Sequence, residues 1–259
     1  MYNSTDSIGV INKKAADETG LLEGTPVYII GLDTTAAALA AGVIDSGQGF
    51  YAMGTAANMM FLTDKQKKTP FLESFIHITD PKIHILSGSQ GSVGYSLKWF
   101  KDNFIESHQD EVDIFKIMSQ EAEKINPGSS GSIYLPFLFG KYHPIFNQTV
   151  RGTFIGLNPT TSKPKLIRSL MEGCTFNLYE IIKSVEDIGV ELNEIITSGG
   201  PSKSDLWCQI IADTTNRKVY TRNSPEGSPL GNAILVSVCE GMHSSFEEVA
   251  NKASTGSRP

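Results

Sequence analysis

Leu166, Leu170, Cys174, Leu178, Ile181 and Val185 recur at three- and four-residue intervals. That spacing lines one face of an α-helix and predicts a helix of about six turns. Pro164 stands at its start, where a missing N–H costs nothing. Shorter runs with the same period predict helices over Tyr95–Phe104, through Leu97, Phe100 and Phe104, and over Val112–Ile125, through Ile114, Ile117, Met118 and Ala122. The apolar run Val27–Gly31 predicts a buried strand, and the alanine-rich Thr34–Ala41 a closely packed helix after it. Gly49–Met53 and Asn58–Leu62, split by Gly54–Ala57, predict a hairpin or one strand that turns sharply. Phe75–Ile78 and Lys82–Leu86 alternate as half-buried strands do.

Beyond a turn at Asn126-Pro127-Gly128, Ile133–Phe139 reads as a strand and Asn147–Gly156 as a loop. The last third alternates: strand Glu194–Thr197, a Gly-Gly turn, helix Ser204–Thr214, strand Lys218–Thr221 and helix Pro229–Glu240. Alternation of this kind predicts an α/β layer. No internal repeat divides the 259 residues, so one α/β domain over 1–252 is expected, followed by a disordered tail at 253–259.

Composition narrows the function classes. With 22 Lys and Arg against 28 Asp and Glu, and no basic stripe interleaved with aromatics, a nucleic-acid partner has no electrostatic support. No eighteen apolar residues run unbroken, and the first residues lack the basic flank and apolar run of a signal peptide. A cytoplasmic protein with no membrane partner is expected. Cys174, Cys208 and Cys239 are odd in number and widely spaced, which predicts reduced core thiols. The histidines His77, His84, His108, His143 and His243 show no metal-ligand spacing, and no protein-borne metal site is expected. Trp99 and Trp207 fall on apolar helical faces and read as core.

Candidate chemistry lies where glycines and one carboxylate interrupt these patterns. The chain holds neither a G-x-x-x-x-G-K-[ST] loop nor a strand followed by G-x-G-x-x-G. Ser198-Gly199-Gly200-Pro201-Ser202 joins a strand to a helix opening at Ser204; a flat ligand could approach that backbone closely, with the helix N-terminus offering N–H groups beyond it. A plain β–α turn accounts for the same residues. Gly54-Thr55 could donate a hydroxyl and an amide to an anion. Asp33, between an apolar run and a helix, reads equally as a base, a metal anchor or a helix N-cap.

In this order the segments resemble the C-terminal half of FGGY-family carbohydrate kinases. Gly31-Leu32-Asp33 is similar to the motif whose aspartate is the base toward the sugar hydroxyl, and Gly54-Thr55-Ala56 to the phosphate motif. Gly94 leads a stretch, Gly94–Asp102, that resembles one lying near the nucleotide. Gly152–Leu157 followed by Lys165–Glu172 resembles the second family signature, with Lys165 where His, Asp, Glu, Asn or Gln is usual. Ser198–Asp213 resembles the adenosine-binding stretch, with Pro201 in place of alanine and Ser204 where glycerol kinases carry asparagine. Glu226 and Leu230–Ala233 complete the pattern, while Gly140–Pro144 departs at Lys141 and implies altered charge pairing in that loop.

The resemblance implies an actin-like (ribonuclease H-like) ATPase domain, a mixed sheet flanked by helices, serving ATP- and Mg2+-dependent phosphorylation of a sugar or polyol. It implies Asp33 as catalytic base, Gly54, Thr55 and Gly94 near the phosphates, and Gly199, Gly200, Pro201 and Ser204 at adenosine, with the carboxylate and the paired glycines on opposite walls of one cleft. It also implies an absent N-terminal domain holding most of the sugar pocket and a magnesium loop. A chain of this kind is expected to bind ATP or ADP with little turnover alone, or to act as a non-catalytic or split-gene partner module. An apolar face exposed by the absent half would favour self-association as a homodimer.

Overall fold

The computed structural model describes residues 2–67, 69–105, 113–222 and 227–249. The chain opens with β1 (Ser7–Val10), α1 (Lys13–Thr19) and β2 (Pro26–Tyr28), then α2 (Asp33–Ala40). Four strands follow: β3 (Gln48–Met53), β4 (Ala57–Thr63), β5 (Glu73–Ile76) and β6 (His84–Gln90). Next come α3 (Gly94–Phe104), α4 (Ile114–Glu123), β7 (Ile133–Leu135), β8 (Thr153–Ile155) and α5 (Lys163–Glu186). The last elements are β9 (Glu194–Gly199), α6 (Asp205–Thr215), β10 (Lys218–Thr221) and α7 (Gly227–Cys239).

Six strands form the central mixed sheet in the order β10-β9-β3-β4-β6-β5. β3, β9 and β10 are parallel to their neighbours in that trio, whereas β3–β4, β4–β6 and β6–β5 are antiparallel. Successive residues of a strand face opposite sides, and each side has its own core. Tyr51, Met59, Phe61, Leu86 and Ile195 join the apolar faces of α5 and α6. Phe50, Met60, Leu62, Ile85 and Ile196 pack under Ala38 and Ala41 of α2 and the segment just after it. α7 lies against α2, with Ile234 and Leu235 meeting Ala36 and Leu39. Helices therefore cover both faces.

The long helix α5 buries Leu170, Cys174, Leu178, Ile181 and Val185 completely, as the three-four repeat requires. One ion pair is buried with it: Arg168 Nε lies 2.8 Å from Glu172 Oε1, and both side chains are 7% exposed. That pair reaches the turn after α4. Glu172 accepts the Gly128 N–H and the Ser129 hydroxyl, while Arg168 donates to the Ile125 carbonyl.

The first apolar run departs from expectation. Only Pro26–Tyr28 is strand; it pairs with β1 in a separate two-stranded sheet, and Ile29 and Ile30 are exposed. Val27 and Tyr28 are only half-buried against β1, so the run's apolar composition alone did not make it core. The strand read at Ile133–Phe139 ends at Leu135, and it is paired by Thr153–Ile155, inside the segment read as loop. Trp207 is fully buried and Trp99 packs at the core edge. The three cysteines are free thiols, and burial pushes the Cys174 thiol up to about 12, outside the reactive range. His108, Glu226 and the tail lie outside the described residues.

Candidate nucleotide site

Three glycine-bearing segments meet at the carboxyl ends of two adjacent parallel strands, the place where open α/β sheets present ligands. β3 ends at Met53 and β9 at Gly199, and these two residues are register partners. Gly199 has φ +103°, and a Cβ there would stand 2.0 Å from the Met53 carbonyl oxygen, so no other residue fits without parting the strands. The third segment is the start of α3. A Cβ on Gly94 would lie 2.5 Å from the Gly54 carbonyl oxygen and 3.3 Å from Pro201 Cγ. Gly54, Gly94, Gly199 and Pro201 thus come together from positions scattered over the chain.

Hydrogen bonds lock this junction. The Gly94 N–H donates to the Gly54 carbonyl at 3.0 Å, and the Val93 and Tyr95 N–H groups both donate to the Thr55 carbonyl at 3.0 Å. The β3–β4 hairpin tip is thereby pinned to the N-terminus of α3. Its outer side stays open: Gly54, Thr55 and Ala56 are exposed, and the Thr55 hydroxyl makes no hydrogen bond among the described residues. Gly200 is exposed too, and nothing lies within 4 Å of a Cβ built on it. The result is an open ledge of backbone.

Beyond the ledge, Pro201–Lys203 makes a single 3-10 turn and Ser204 caps α6, accepting the Trp207 N–H at 3.2 Å. The Ser204 hydroxyl lies 2.6 Å from that of Ser119 on α4. Ser119 was not a sequence candidate; no pattern in its own helix distinguishes it, and only the packing of α4 on α6 brings it here.

Asp33 stands apart from this group. It is the first residue of α2 rather than its cap, since Leu32 holds the cap position without a side-chain hydrogen bond. Its Oδ1 accepts the Thr34 N–H at 2.7 Å, and the carboxylate is exposed in the first helical turn, where negative charge is favoured. The Ser228 hydroxyl at the start of α7 donates to its backbone carbonyl at 2.7 Å. α2 lies across the sheet from α3 and α6, and among the described residues no hydrogen bond or ion pair joins Asp33 to the ledge. At the far end of α2, the Ala41 carbonyl accepts from Arg222 Nε, and the Arg222 N–H donates to the Thr197 carbonyl of β9.

In the loop that departs at Lys141, Lys141 Nζ lies 2.6 and 2.8 Å from the Glu180 carboxylate of α5. Lys165 Nζ donates to the Thr160 carbonyl at 3.0 Å, closing the start of α5. Among the described residues no three His, Cys, Asp or Glu side chains gather within reach of one ion.

Known proteins share this arrangement. The sheet and its two helical layers form the actin-like ATPase fold. The solved structure of xylulose kinase from Rhodospirillum rubrum matches with a TM-score of 0.88 and 26% identity, over 96% of this chain and 50% of that one. Glycerol kinase from Plasmodium falciparum, solved with ADP, matches with a TM-score of 0.84 at 22% identity, over 97% and 49% of the two chains. In sequence, xylulose kinase of Bacillus subtilis (strain 168) is 31% identical over 255 residues, 97% of this chain and 50% of that protein. Gluconokinase of the same organism is 28% identical over 242 residues, 91% and 47%. Residues 49–239 match the C-terminal domain of the FGGY family of carbohydrate kinases. The chain belongs to that family, and it spans about half the length of the curated relatives it matches.

Proposed function

We propose that this chain is the nucleotide-binding half of an ATP-dependent sugar or polyol kinase, working with a first domain that holds most of the sugar. One observation carries the reading: Gly54, Gly94, Gly199 and Pro201 converge on an exposed ledge at the ends of two parallel strands in a carbohydrate kinase family member. Thr55 and the backbone of Gly54 would hold phosphate oxygens, with Gly94 beside them. Gly199, Gly200, Pro201 and Ser204 would line adenosine, the bare face of Gly200 leaving room for a flat base or ribose. The ADP in the glycerol kinase relative supports that ligand class.

Phosphoryl transfer depends chiefly on positioning and electrostatic stabilisation. In this reading the Asp33 carboxylate accepts the proton of the attacking hydroxyl, and its exposure at a helix start leaves it accessible to a substrate held by another domain. Mg2+ keeps several waters and is bound through substrate phosphates with one or two carboxylates, a mode that asks for no cluster of three protein ligands, and none gathers among the described residues. The ion would neutralise charge on the phosphates; this chain's part is to hold those phosphates on the ledge.

Catalysis between two closing domains gives the isolated chain little turnover. A cytoplasmic setting is part of the proposal, supported by the finding that no described helix is long and apolar enough to cross a membrane. So is self-association, supported by exposed apolar side chains at Leu22, Ile30 and Phe146. Titration calorimetry with ADP and a coupled assay over a panel of sugars test the reading. Saturable ADP binding with negligible turnover is expected. Absence of ADP binding refutes the nucleotide site, and robust turnover by the 259-residue chain refutes the need for a second domain.

A further inference from the structure

A file of buried polar side chains runs beneath the ledge, and nothing in nucleotide binding or proton transfer uses it. Thr197 Oγ1 donates to the Tyr51 carbonyl at 3.0 Å, tying β9 to β3 two residues short of Gly199 and Met53. Tyr51 is 1% exposed, and its hydroxyl donates to Oε1 of Gln90, the last residue of β6 and 3% exposed. Gln90 Nε2 donates to the Cys174 carbonyl at 2.8 Å and to Asn177 Oδ1 at 3.1 Å. Asn177 Nδ2 donates in turn to the His143 carbonyl at 3.2 Å and to Glu180 Oε2 at 3.4 Å. The last step is the Glu180–Lys141 ion pair, in the loop between β7 and β8.

From Tyr51 to His143 every donor points the same way, from sheet to loop. Burial pushes the Tyr51 phenol well above its ordinary range, so it stays protonated and remains a donor. The loop also returns to the ledge directly. Phe139 packs against Tyr95 with ring centroids 4.8 Å apart and the planes tilted by 49°, and the Tyr95 N–H donates to the Thr55 carbonyl. A Cβ on Gly91 would meet Tyr142 at 2.6 Å. A methionine at position 90 would fill the same space without desolvating an amide. What the amide adds is direction: each of its two ends accepts only one kind of partner, so β3, α5 and the loop are held in one relative placement.

We propose that Gln90 is a positioning residue that couples the ledge to the loop carrying Lys141, so that a phosphate-bearing ligand on the ledge is felt at Lys141 and Asn147. The identity of that ligand rests on the nucleotide reading above; the coupling itself does not. Lys141 and Asn147 report on it, because each donates its N–H to the other's carbonyl at 2.8 Å.

Hydrogen exchange on the whole chain, with and without ADP, tests this in the wild type, Gln90→Met and Tyr51→Phe. Without ligand, both variants should exchange the Lys141 and Asn147 amides about tenfold faster, the size of one lost hydrogen bond, while Ile234 and Leu235 of α7 keep their rates. With ADP, the wild type should slow exchange at the ledge and at the loop, and Gln90→Met at the ledge alone. Loop rates unchanged in Tyr51→Phe overturn the proposal, and so does equal acceleration in α7, which marks general loosening. If Gln90→Met does not fold, Tyr51→Phe, which loses one oxygen atom, decides. If ADP protects nothing in the wild type, the nucleotide reading falls and the ligand-free comparison still settles the coupling.

Discussion

Replacing each of the paired glycines by alanine separates the architecture of the ledge from its use. At Gly199 the backbone sits at φ +103°, where an L-residue costs about 1–3 kcal/mol. The new methyl would also stand 2.0 Å from the Met53 carbonyl oxygen, so the ends of β3 and β9 must separate and a strand hydrogen bond worth about 1 kcal/mol is lost. Together the loss is about 3 kcal/mol. For a chain of this size each kcal/mol moves Tm by about 2–4 °C, so Gly199→Ala should melt about 6–12 °C lower. Gly200 has φ −58° and ψ −52°, ordinary for alanine, with open space where the methyl would go. Gly200→Ala should gain about 0.4–1 kcal/mol by restricting the unfolded chain, yet weaken ADP about tenfold by filling the approach to the ledge, a discrimination of about 1.4 kcal/mol. Scanning calorimetry and ADP titration on the two variants read both effects. A Gly199→Ala protein melting within 2 °C of wild type would refute the packing argument, and unchanged ADP affinity in Gly200→Ala would remove the ligand from that face.

His77, 3% exposed, has its pKa lowered by burial from 6.5 to about 4. The unfolded chain therefore takes up a proton below pH 6.5 that the folded chain refuses until near pH 4, so the contribution is complete above pH 6.5 and falls by about 3 kcal/mol on the way to pH 4. Urea midpoints for wild type and His77→Gln should diverge over that window; parallel pH profiles would show that the ring is not held neutral. Glu172→Gln leaves the Arg168 guanidinium buried without its counter-charge, an expected loss of about 3–5 kcal/mol by urea denaturation. Asp33→Asn should alter stability by less than about 0.5 kcal/mol, since the side chain is exposed. In a kinase reconstituted with a first domain it should abolish turnover while ADP affinity holds, and retained turnover would exclude Asp33 as the base.

Periodicity marked the elements whose burial is decided locally. α5 emerged because its apolar face packs along its whole length, and the β9–α6–β10 run because Trp207, Ile210 and Ile211 of α6 pack with Ile195 and Val219 of its strands. Val27–Gly31 misled because a short apolar run says nothing about what covers it, and here Ile29 and Ile30 are left in solvent. β8 was hidden for the opposite reason: three residues, largely exposed, become strand only because β7 lies alongside. At the candidate site the glycines were visible as turns, but their meeting was not, since it is made by carbonyl contacts between residues far apart in sequence. Ser119, Gln90 and Asn177 carried no signal at all. Their polarity becomes informative only once burial and partners are known.

The parallel pairing of β3 with β9 also orders events during synthesis. Met53 cannot meet Gly199 until nearly 150 further residues have left the ribosome, and loop closures of that span come late and slowly. The nascent chain therefore carries its first hairpin, β3–β4, with one long edge bare until β9 arrives, and no small molecule that recognises the finished ledge can assist it before then. Under the nucleotide reading, ligand capture would then report that the sheet has closed.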